Sequence, residues 1–200
     1  EIVGMANYSK NIFVGCGGRD IINKTHFLGA AYGMEKMMGR ANTPVRKIFD
    51  YAEEHFLANV PLRYILTVTT TKGDETNVNG LFIGRSQDLF AAAVRESQRR
   101  NLNLLTHPLR KVVVYLEPGE FRTTWLGNKA IYRTRMAIAD GGELIVLAPG
   151  LKQFGEDPLI DVLIRKYGYV GSKRVLSLVN ENKELKENLS AAAHLIHGSS

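Results

Sequence analysis

The chain has 200 residues, 44% of them hydrophobic and 23% charged, which is enough for one domain or two small ones around an apolar core. Its 26 Lys+Arg stand against 20 Asp+Glu, but the cations are scattered along the chain. That spread favours a solvated surface with an anionic small molecule as partner over a nucleic-acid face. A single cysteine, Cys16, excludes an intrachain disulfide and a cysteine-built zinc cluster, and suits a reducing, cytoplasmic setting.

No apolar run approaches the ~20 residues of a membrane span, and no signal-peptide pattern stands at the start. The chain opens on Glu1 rather than Met, so it is expected to be a piece of something longer. In chain order, Asn11–Cys16 reads as a first short strand, entering a loop with Gly15, Gly17 and Gly18. Thr43-Pro44 opens a helix with Val45, Ile48, Phe49, Ala52 and Phe56 at helical spacing. Arg63–Val68 and Gly80–Gly84 read as strands, with the polar stretch 72–80 as an exposed hairpin loop between them. Ser86 caps a helix whose apolar face is Leu89, Phe90, Ala93 and Val94.

Leu105–Lys111 reads as a junction between residues 1–105 and residues 106–200, after which Lys111–Leu116 forms a strand. A helix is predicted over Lys129–Ala139, ending at Asp140-Gly141-Gly142, then a strand over Glu143–Pro149. Later helices are predicted over Pro158–Tyr167, Ser172–Asn180 and Leu189–Ile196. Alternating strands and helices give an α/β fold with mainly parallel sheets, and continuous apolar strands predict sheets covered on both faces. Ligands in such sheets sit past the carboxyl ends of the strands.

Several residue groups could carry chemistry there. Gly17, Gly18, Arg19 and Asp20 form a loop that suits either an anion at a helix start or a bare turn. It is neither a G-x-G-x-x-G fingerprint nor a P-loop. Cys16 is either a nucleophile or a small apolar residue. Lys24 and His26 are acid/base candidates, with His26 also a metal-ligand candidate that has no local second ligand. His194 and His197 lie at i,i+3, a spacing that serves a metal, a surface or an interface. Lys129, Tyr132, Arg133 and Met136 are predicted to share a helix face, with Arg135 turned away. Arg133 can grip a carboxylate through two parallel hydrogen bonds. Asp157 suits a helix N-terminus, and Glu156 is left open between acid/base and dipole roles.

The order of these parts, with the stretches NKAIYRTRMAIADGGELIVLAPG and FGEDPLIDVLIRKYGYVG, resembles the nickel-pincer-dependent lactate racemase family, specifically its D-mannonate epimerase-like branch. The resemblance covers essentially the whole chain but only the middle of a family member. It implies two Rossmann-like α/β units with the active site at their junction. It further implies a nickel-pincer nucleotide that takes hydride from the α-carbon of a 2-hydroxy acid and returns it to the other face. On that basis Gly17, Gly18, Arg19 and Asp20 are the cofactor edge, and Tyr132, Arg133 and Arg135 bind substrate. Lys24 and His26 are the acid/base pair. The family tethers its cofactor through a lysine, and Asp20 occupies that place; a carboxylate cannot form the same thioamide link. Three routes stay open: non-covalent binding, use of Lys24 from a shifted loop, or different chemistry. A nicotinamide-dependent sugar-acid oxidoreductase and a non-catalytic domain binding an acidic metabolite are the alternatives. Association into a homo-oligomer is compatible with each.

Overall fold

The structure is a computed structural model and describes residues 5–199. It divides into two compact units, Glu1–Ile22 with Lys36–Leu104, and Asn23–Glu35 with Leu105–Ser200. Each mixes helix and strand.

The first unit begins with helix α1, Lys10–Cys16, where the β-rich composition predicts a strand. Tertiary context overrides that preference: Phe13 N donates to the Ser9 carbonyl at 3.1 Å as the helix starts, and its ring stacks on Phe49 at 6.3 Å between centroids. The glycines that follow therefore join two helices rather than a strand and a helix. Gly17 caps α1 through its N–H to the Phe13 carbonyl at 2.9 Å, and Gly18, at φ +72°, starts helix α2, Gly18–Tyr32. A Cβ at Gly17 would run into that same Phe13 oxygen.

Short helix α3 covers Met34–Met37, and α4 covers Pro44–Phe56 as its capping signals predict. The Thr43 side chain accepts from Arg46 N at 3.1 Å, and Pro44 sits at the first turn where its missing N–H costs nothing. Arg46 is buried and held by a carbonyl and a carboxylate: its guanidinium donates to Asn7 O at 2.8 Å and to Asp50 Oδ1 at 2.7 Å, and lies 4.7 Å from the Phe90 ring centre.

Strands β1, Tyr64–Lys72, and β2, Glu75–Gly84, pair antiparallel through a turn at Gly73-Asp74. The predicted hairpin loop is thus mostly strand, and the expectation of a parallel sheet fails in this unit. A two-residue turn returns the chain at once, and only a long crossover permits parallel pairing. One face of this hairpin packs on helix α5, Gln87–Asn101, started by the Ser86 cap. Tyr8, Tyr64, Phe90 and Val94 form the core between them.

In the second unit strands β3, Leu109–Tyr115, and β4, Ile138–Leu147, pair in parallel. Between them run α6, Thr124–Gly127, and α7, Lys129–Thr134. Helix α7 is shorter than predicted, and Asp140-Gly141-Gly142 lies inside β4 instead of ending a helix. The cause is Leu109 N, which captures the Ala137 carbonyl at 2.8 Å and pulls the chain into the sheet. The register then shifts between Leu109 and Lys111, with Gly141 at φ +71° taking up the slack as in a β-bulge.

Helices α8, Pro158–Tyr167, α9, Ser172–Glu181, α10, Lys183–Glu187, and α11, Leu189–His197, complete the unit. Their apolar faces meet at Leu163, Ile164, Val175, Leu185, Leu195 and Ile196, together with Ala30 of α2. Among the described residues, no helix is long and apolar enough to cross a membrane.

Candidate functional site

The densest chemistry of the second unit surrounds α11. This helix is apolar nearly all round, so it buries completely and takes its two histidines with it. His194 and His197 are only 3% and 4% exposed, which removes the surface role that their position near the end of the sequence suggests.

His194 is held on two sides. Trp125 of α6 stacks on its ring at 5.0 Å, and Tyr169 meets it edge-on with the hydroxyl 2.9 Å from Nε2. Asn128 Nδ2 stands 3.4 Å from the same nitrogen. An amide N–H₂ can only donate, so this contact requires Nε2 to be the acceptor and the ring proton to sit on Nδ1. The Tyr169 hydroxyl continues to Thr124 Oγ1 at 2.8 Å, and that oxygen also reaches the Phe154 carbonyl. Burial raises the Tyr169 phenol above its ordinary range and pushes the His194 imidazole down to about 4.

His197 is held differently. Its ring lies 5.6 Å from Tyr132, and its Nε2 is buried with no hydrogen-bond partner. Burial first, then the charges of His194, His26 and Arg135, push its pKa down to about 3. Both imidazoles are therefore neutral at physiological pH. Arg135 stands at the end of α7, donates to the Ser199 carbonyl at 3.2 Å and lies 3.9 Å from Glu35 Oε2.

The residues predicted from sequence are thus partly assembled. In the second unit Tyr132 lies against the His197 ring, and the charges of His26 and Arg135 act on the same imidazole. Arg133 is exposed beside buried Tyr132, and Met136 lies beyond the end of α7 at Thr134, so the predicted shared face of Lys129, Tyr132, Arg133 and Met136 does not form. Lys24 is exposed whereas His26 is half-buried, as two positions about 200° apart on one helix demand. They cannot act together on one face of a substrate. Gly17, Gly18, Arg19 and Asp20 are exposed in the first unit, and Asp20 lies in the first turn of α2, where a carboxylate complements the helix dipole. Asp157 caps α8 by accepting from Ile160 N at 2.9 Å, and Glu156 accepts from Thr123 Oγ1. Cys16 is exposed.

Sequence reasoning passed over Tyr169 and Asn128 and misplaced the histidine pair. The available signal was the run from Ala191 to Ile196, where small and apolar residues on every side of a helix mark it as buried.

The loop does not fit a tethered nickel nucleotide. Asp20 offers a carboxylate at the tether position, and the space a Cβ would fill at Gly17 is taken by α1's own carbonyl rather than left as a cradle. Among the described residues, no group of three His, Cys, Asp or Glu side chains is arranged to hold a metal ion.

In comparisons with known proteins, no family model matches the chain and no curated protein matches it. A crystal structure of a Thermotoga maritima protein, solved by the Northeast Structural Genomics Consortium, is similar with a TM-score of 0.72 at 26% sequence identity. The similarity covers 90% of this chain and 44% of that one, so the chain spans less than half the length of the protein it matches.

Proposed function

We propose that this chain is part of an isomerase that inverts the α-carbon of a 2-hydroxy carboxylate, probing a sugar acid such as mannonate first. The observation that carries the reading is the buried neutral pair His194 and His197 beside His26, Tyr132 and Arg135. The sequence resemblance to the racemase family supports it, and that reading would make the second unit, with its parallel pair, Rossmann-like.

A neutral imidazole can take the hydroxyl proton of a 2-hydroxy acid, and His197 Nε2 is the buried nitrogen with no partner to satisfy it. Alone, a base with a pKa of about 3 gains little from that proton. A substrate carboxylate bound nearby would raise the value toward neutrality, where general-base catalysis works best. Arg135 would place that carboxylate by exchanging its Glu35 contact, and Tyr132 would wall the site with its ring. The family's nickel-pincer nucleotide supplies hydride acceptance when bound. Inversion needs such a hydride acceptor, and any nucleotide in that role would have to be held without a covalent link, because Asp20 stands at the tether position.

The test is epimer formation by the protein, produced together with the cofactor-synthesis enzymes, from a panel of 2-hydroxy acids in deuterated water, followed by NMR. Inversion of one acid, lost on His197→Gln, is the expected result. Turnover of NADH without inversion would replace this reading with a nicotinamide-dependent oxidoreductase. Saturable binding without turnover would leave an acidic-metabolite-binding domain. Mass spectrometry of the same preparation shows whether a nickel nucleotide accompanies the chain.

A further inference from the structure

The first unit contains a cavity of about 320 Å³ that the reading above does not use. Its walls are Met5, Met38, Leu66, Phe90, Val94 and Leu102, and Ala93 forms part of its α5 side. An apolar cavity of about 150 Å³ already holds benzene, so this one has room for roughly twice as much.

Polar ties hold the walls apart. Gln98 Nε2 of α5 donates to the Gly39 carbonyl at 2.9 Å, and Met5 N donates to the Arg40 carbonyl at 2.9 Å. Gly39 adopts φ +68°, and a Cβ there would crowd the Leu102 side chain. Arg46 anchors the Ala6 and Asn7 carbonyls behind them. The segments around Met5 and Met38 are therefore fixed at α5 by hydrogen bonds rather than by filling the space between.

The rim fixes the chemistry of the occupant. Asn7, Thr67 and Ser97 provide uncharged hydrogen-bonding groups, and among the described residues no ionisable side chain lines the cavity. A carboxylate or ammonium group placed there would lose its hydration without gaining a counter-charge. We propose that this cavity binds an uncharged amphiphile, a medium-chain molecule with one hydroxyl or amide end. Its apolar body would lie against Phe90, Val94 and the two methionines, with the polar end at Ser97 and Asn7. Methionine suits such a wall because its flexible thioether adapts to ligands of varied shape.

The chain has five methionines, so [methyl-¹³C]methionine NMR reads the site directly. Met5 and Met38 line the cavity, Met34 and Met37 are buried elsewhere, and exposed Met136 belongs to the other unit. Titration with 1-octanol is expected to shift Met5 and Met38 saturably and leave Met136 in place. Octanoate and octylammonium are expected to bind at least about tenfold more weakly, as an unpaired charge requires. Ala93→Phe fills the space and should abolish the shift; Ser97→Phe closes the rim if Ala93→Phe disturbs Met34 and Met37. The proposal is overturned by an absent or unsaturable shift, by Met136 moving in parallel, by octanoate binding as well as octanol, or by either folded variant keeping the shift.

Discussion

At the scale of single residues, the α11 histidines make a pH prediction whose sign follows from their burial. In the unfolded chain both titrate near 6.5, whereas the folded values lie near 4 and 3. Between those limits the unfolded state binds protons that the folded state refuses, so stability falls as pH falls below about 6.5. The loss approaches ~1.4 kcal/mol per pH unit for each histidine. Urea unfolding of the second unit at pH 7 and pH 5 should differ by about 2–4 kcal/mol on this ground. His197→Leu removes one titrating group and should remove about half of that dependence. An undiminished pH slope in His197→Leu would show that burial of this imidazole does not set the acid limit. Tyr169 gives a companion test. Its hydroxyl bridges His194 and Thr124, and Tyr169→Phe should cost about 1–3 kcal/mol by leaving those groups short of a partner.

At the scale of elements, helix starts are where local sequence decides the structure. Asp157 accepts from Ile160 N and is followed by Pro158, so α8 begins where those two residues dictate. Asp157→Ala should cost about 1 kcal/mol in thermal or urea unfolding, and Asp157→Ser should restore most of it. A null effect of Asp157→Ala would mean that packing of Ile160, Leu163 and Ile164 alone holds the helix. The same logic explains what could be read from the sequence and what could not. Thr43-Pro44, Ser86 and Asp157-Pro158 each carry their cap within four residues, and their helices appear as predicted. Asn11–Cys16 carries no such signal, and it packs through Phe13 on Phe49, distant in sequence. Asp140-Gly141-Gly142 looks like a helix stop because glycine permits positive φ both at a C-cap and at a bulge. Only the pairing with Leu109 distinguishes the two. For the site, the i,i+3 spacing of His194 and His197 was legible while their partners were not. Trp125, Asn128 and Tyr132 reach them from one stretch of chain and Tyr169 from another.

At the scale of the molecule, both sheets leave apolar surface open where the sequence predicts cover. Ile65, Val78, Leu81 and Ile83 are 59–68% exposed on the outer face of the β1–β2 hairpin, whose other face packs on α5. Val113 and Tyr115 are similarly exposed on the parallel β3–β4 pair, although parallel strands are ordinarily covered on both faces. An apolar stripe on an open hairpin favours association in solution. Ile65 and Ile83 are direct cross-strand partners, so one double variant removes the centre of the stripe. Ile65→Thr with Ile83→Thr should change unfolding stability by no more than about 1 kcal/mol, since both side chains are exposed and threonine keeps the β-branched shape. It should also abolish concentration-dependent association in sedimentation velocity. A chain that stays monomeric before substitution, or that associates equally after it, would show that the stripe is not what drives self-contact.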